Sequence, residues 1–163
     1  MNKMEDAERM QVLNRHTMID SHLKDLLLFQ FSREEKEVEE LLFHPNKGGP
    51  LSTMTNKAKL AYALGLIDKP TLNDLRKINN IRNVFAHNTD MNFENDQVLQ
   101  HVRKFSSVKG KGKRKPVTLR NSFDLYTAAC KECSTTVWRA VVKEVKKESG
   151  RMKKKKKKKK KPK

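Results

Sequence analysis

Cys130 and Cys133 stand in the Cys-x-x-Cys spelling, which binds zinc when a second ligand pair exists and exchanges disulfides in a βαβ setting. Neither setting is legible here. The chain has no further cysteine, and both residues fall on an apolar helical stripe, so they read as small buried hydrophobes. The five histidines, His16, His22, His44, His87 and His101, form no metal-type pair at helical spacing, so no metal is expected. A Gly-x-Ser-x-Gly elbow and a phosphate-cradling glycine loop are both missing, and no cofactor is expected. The loudest chemistry left is positive charge, in Lys109, Lys111, Lys113, Arg114 and Lys115, and again in a run that includes Lys153, Lys154, Lys155 and Lys156. Such side chains neutralise phosphates and release counterions, an attraction independent of sequence. No aromatic residue is interleaved with them, so they offer no platform for stacking bases.

A sharper group is Arg82, Asn83 and His87. It closes an amphipathic segment in which Leu72, Leu75, Ile78, Ile81 and Phe85 recur at spacings of three and four, which predicts a helix running to about Phe85. In a purely structural role, His87 would bind the last free carbonyls of that helix, and Arg82 would pair with an acid such as Asp74.

The elements that must hold these residues are read from the same periodicity. Met10, Leu13, Met18, Leu23, Leu26 and Leu27 predict a first helix. Ser32-Arg33-Glu34-Glu35 spells a capping box for a second, ending near Phe43. The Pro/Gly stretch 44–50 is a loop. A third helix fits Thr55 to Leu64, with Gly65 placed as a left-handed cap. Thr71-Leu72-Asn73-Asp74 resembles another helix start. A short helix is expected over Asp96 to Phe105. The Lys/Gly/Ser-rich run 106–115 reads as a mobile connection. From Asn121 or Ser122 a last helix lines up Tyr126, Cys130, Cys133, Val137, Val141 and Val145. The expected fold is all-α: a compact single-domain bundle of about six helices, formed by residues 1–108 and 121–148, with a basic flexible loop at 109–120 and a disordered poly-Lys tail at 149–163.

Charge arithmetic supports that division. The formal net charge is +18 over 163 residues; 11 positive charges lie in 151–163 and 6 in 109–120, leaving +1 for the rest. No apolar run approaches the ~20 residues that span a bilayer, and no secretory signal is legible at the N-terminus. Two cysteines make no disulfide framework, so the chain reads as a reduced, cytoplasmic protein. In a nucleated cell both basic runs have the composition of import signals.

Gly49-Pro50-Leu51-Ser52, then Lys57 to Ile67 (KAKLAYALGLI), then Asp74-Leu75 leading into Ile81-Arg82-Asn83-Val84-Phe85-Ala86-His87, resembles the MltR (mannitol operon repressor) family. The likeness is close over 48–98 and looser over 20–145. It implies a compact helical regulator of a sugar-alcohol operon. No helix-turn-helix is legible, so regulation would run through a protein partner, in a homodimer built on helix faces. The family's usual members do not end in a lysine run. Arg82-Asn83-x-x-x-His87 also resembles the Arg-polar-x-x-x-His motif of HEPN domains, which include metal-independent endoribonucleases. That resemblance implies Arg82 stabilising phosphate charge and His87 handling a 2′-hydroxyl proton or holding the phosphate. Three readings therefore stand open: a repressor-type regulator, a HEPN-type ribonuclease or its inactive RNA-binding relative, and a nonspecific nucleic-acid binder acting through the basic segments.

Overall fold

The computed structural model describes residues 3–88, 90–109 and 116–159, with side chains described over 6–88, 90–108 and 116–151. Among these residues there is no strand, and the fold is all-α as expected. Seven α-helices follow in order: α1 Lys3–Leu28, α2 Glu35–Val38, α3 Met54–Ala63, α4 Lys69–His87, α5 Asp96–Val102, α6 Ser106–Lys109 and α7 Ser122–Lys159. A π turn, Glu39–Phe43, continues α2. Its five-residue repeat brings Val38 and Phe43, both buried, to the same side of the chain.

α1 packs along α7, α3 lies across α1 and α4, and α5 and α6 close the far side of α4 and α7. α1 and α4 run antiparallel, since Arg9 meets the Asn88 carbonyl and His16 meets Asn79. The predicted stripe of α4 is entirely buried. So is that of α7 from Tyr126 to Val141, whereas Val145 is 44% exposed. Each fully buried branched side chain contributes about 1.5–3 kcal/mol, and these stripes supply many of them. The face of α1 differs from the expected one. Val12, Ile19, Leu23, Leu26 and Leu27 are buried, while Met10 and Met18 are exposed. Hydrophobicity marks a residue as eligible for the core; only the arc facing α3, α4 and α7 is covered.

Helix ends follow local chemistry, with two corrections. Gly65 has φ +70, and Leu66 N donates to Ala61 O at 2.9 Å while Gly65 N donates to Tyr62 O at 3.0 Å. That is the paired bond pattern of a left-handed cap. Asp68 begins α4, accepting from Thr71 N at 2.9 Å, with Pro70 in the first turn. The start is therefore Asp68 and not Thr71, because proline is tolerated there and lacks the amide that a later position needs. Ser32 caps nothing: α2 begins after Glu34, which makes no side-chain cap bond. Gly49 is buried, and a Cβ there would lie 2.6 Å from the Leu42 carbonyl oxygen. Its place before Pro50-Leu51 thus reflects backbone meeting backbone. Leu51 N donates to that same oxygen at 2.7 Å.

α7 crosses the expected domain edge and remains helical to Lys159, although every described side chain from Val145 to Arg151 is exposed. The packed body therefore ends near Glu144. Of the nucleic-acid candidates, Lys111, Lys113, Arg114 and Lys115 lie outside the described residues, and the side chains of Lys109 and Lys153 to Lys156 likewise.

Candidate functional site on the α1–α4 seam

Antiparallel packing of α1 against α4 brings polar residues together along one seam. The His16 ring nitrogen Nε2 sits 3.0 Å from Asn79 Oδ1. Burial holds His16 below its usual pKa, opposed by the Asn79 hydrogen bond and the Asp20 charge and reinforced by the charges of Arg82 and Lys57. Asp20, one turn further along α1, accepts from Lys57 Nζ at 2.6 and 2.7 Å. Lys57 is only 4% exposed and Asp20 is 28% exposed, so the ammonium depends on this one carboxylate.

Arg82 and Asn83 are brought together: an Arg82 guanidinium nitrogen donates to Asn83 Oδ1 at 3.2 Å. His87 is exposed and receives no hydrogen bond among the described residues. Five residues turn a helix by about 140° beyond a full circle, so Arg82 and His87 project from different faces of α4. The imidazole that feels the Arg82 charge is His16. Two structural expectations are corrected here. Asn88, not His87, binds a last-turn carbonyl, through its side chain to Val84 O at 2.9 Å; the amide of Asn88 curls back where a ring cannot. Asp74 does not pair with Arg82, because Lys77 and the start of α6 already occupy it.

Spacing gave no sign of His16, Asp20, Lys57 or Asn79, since each pairing joins different helices. Among the described residues no group of His, Cys, Asp and Glu is arranged to hold a metal ion. The seam's chemistry is thus a neutral imidazole beside a guanidinium and an ion pair, and it ties three helices into one unit.

Two predictions arise here. A histidine whose folded pKa is depressed contributes stability that is full above about 6.5 and declines as pH falls through that value, because the unfolded chain takes the proton first. His101 is shifted the same way, by burial and then by Lys104 and Lys77. Thermal melts should therefore show Tm falling between pH 7.5 and pH 5.5, with a smaller fall in His16→Gln; equal falls would contradict the assignment. The second concerns the thiols. Burial pushes Cys130 up to about 11 and Cys133 further still. At pH 8 neither should react with an aromatic disulfide reagent until guanidinium unfolds the chain, when two thiols per chain should appear.

α3 and α4 are joined by a short turn through Gly65, the connection that a helix-turn-helix uses. The second helix of that pair packs against α1, α3, α5, α6 and α7. The side of α4 turned away from those neighbours carries Arg76, Asn80 and His87, all exposed. Among the described residues no helix is long and apolar enough to cross a membrane.

Comparison with known proteins agrees with this architecture. The family described as "Mannitol repressor" (MtlR) matches residues 1–145. The fold is similar to that in the X-ray structure of the MtlR–HPr complex from Escherichia coli, with a TM-score of 0.53 and 18% sequence identity. The match covers 83% of this chain and 88% of that one. No curated protein matches the chain significantly. With nearly the whole packed body inside the family match, the chain belongs to the mannitol repressor family.

Proposed function

We propose that the protein is a repressor-type regulator of sugar-alcohol genes that acts by docking a protein partner, and that this partner is HPr. The observation that carries the reading is the shared fold, over most of both chains, with an MtlR solved in complex with HPr.

The body also offers a place to dock. A groove of about 480 Å³ runs between the end of α1 and α7, with Leu28, Phe29, Phe31 and Trp138 in its wall. Phe29 and Trp138 are 38% and 49% exposed, and exposed aromatics inside a charged rim are the usual anchors of protein interfaces. His22 packs at a tilt of 41° against Trp138, with ring centroids 5.2 Å apart.

The reading is tested in the cell. Deleting the gene should raise transcription of the mannitol transport genes several-fold, and restoring it should return them to the basal level. Unchanged transcription in both strains would overturn the proposal.

A further inference from the structure

Beyond partner docking, and independently of it, α7 carries a second surface. Arg139, Lys143 and Lys146 are exposed and have no acidic partner among the described residues. At about 100° per residue they fall within one sector of roughly 60°. The acids of the same stretch lie elsewhere on the helix. Glu144 is tied to Lys147, and it and Glu148 border the groove beside Phe29 and Phe31. Glu132, one heptad before Arg139, is the last acid on the cationic sector. From Arg139 onward that sector meets only positive charge, and the helix backbone runs on without a break through Arg151 into the lysine run as far as Lys159. The stretch from Arg139 to Lys159 is about 30 Å of straight helix, close to the ~34 Å of one duplex turn.

We propose that this face of α7 is a docking site for the phosphate backbone of duplex DNA. Charge complementarity supplies the attraction, and the helix sets Arg139, Lys143 and Lys146 along one side. In a disordered tail the same charges would cost ordering entropy on binding. B-form DNA has a major groove about 12 Å wide that admits a helix, whereas the A-form groove of RNA is too narrow. The cationic sector bears no aromatic residue, so single-stranded bases gain no stacking there. Between Val145 and Lys163 the only apolar residue is Met152, which leaves no apolar face to bury in a membrane. Recognition is therefore of backbone and not of sequence.

The test uses the full chain and a fluorescently labelled 24-base-pair duplex of mixed sequence, with anisotropy measured from 50 to 200 mM salt. The triple variant Arg139→Gln, Lys143→Gln, Lys146→Gln should bind about tenfold or more weakly at 100 mM salt. Its log–log salt slope should be shallower by about 2 to 3. Lys143→Gln alone should reduce the slope by about 1. A control triple of equal charge change at exposed sites away from α7, Lys36→Gln, Lys59→Gln and Arg103→Gln, should weaken binding less than threefold. An equal loss in both triples would mean that net charge alone acts and would overturn the proposal. So would an RNA duplex or phosphatidylserine vesicles bound as tightly as the DNA.

Discussion

Replacing Asp74 by alanine is expected to cost about 3 kcal/mol of folding stability. For a chain of this size that is a fall in Tm of roughly 6–12 °C. Asp74 is 3% exposed and its carboxylate serves three donors. Ser106 N approaches its two oxygens at 3.0 and 3.1 Å, the Ser106 hydroxyl donates to Oδ2, and Lys77 Nζ lies 2.7 Å from Oδ1. A side chain on α4 thus caps the first turn of α6, 32 residues away. Alanine would leave a half-buried ammonium and a helix-start amide without their acceptor, and unmet donors cost more than the bond was worth. Asn at the same position keeps an acceptor for the amide but loses the charge, so Asp74→Asn should lie about midway. Urea melts should show a lower midpoint with an unchanged slope. A change below 1 kcal/mol in Asp74→Ala would show that the carboxylate is not the clamp described.

Phe93→Ala is expected to cost about 3–5 kcal/mol, the usual range for emptying a buried aromatic site. Phe93 lies between α4 and α5, outside any helix, yet is 2% exposed. Its ring sits 5.2 Å from Phe85, 5.0 Å from Phe123 and 5.2 Å from Tyr126, so one residue joins α4 to the first turn of α7. The Ser122 hydroxyl reaches the Phe93 carbonyl at 2.9 Å, which pins the backbone while the ring fills the gap. Phe93→Leu, which refills most of the volume, should cost less than about 1.5 kcal/mol. If leucine proved as costly as alanine, ring geometry rather than volume would be the reason.

These two residues also show where sequence reading stops. The stripes of α4 and α7 were legible because each places apolar side chains on one arc of one helix, and period alone reveals an arc. The Gly65 cap was legible because a left-handed residue favours glycine strongly. Phe93 belongs to no period, and Asp74 resembled part of a helix start because nothing local reveals a partner at Ser106. The same holds for Lys57, which spacing leaves on an ordinary amphipathic helix until Asp20 is seen opposite. Met10 and Met18 lie off the covered arc of α1, which periodicity alone does not reveal because singly exposed apolar residues are ordinary. At the candidate site, Arg82 and Asn83 were found as neighbours, while His16 was missed because it joins them only through helix packing. The family motif was legible for a different reason. Gly49, Gly65 and the α4 stripe are each constrained by close packing or backbone geometry, so the spelling records the fold.

The HPr docking proposed for the nearly neutral helical body is separate from the DNA contact proposed for the basic end of α7. It is tested most directly by light scattering on the full chain mixed with equimolar HPr. A single species heavier by one HPr per chain is expected, and it should persist at 300 mM salt, where backbone-type contacts to DNA are largely lost. Two separate species at their own masses, at low as well as at high salt, would contradict it.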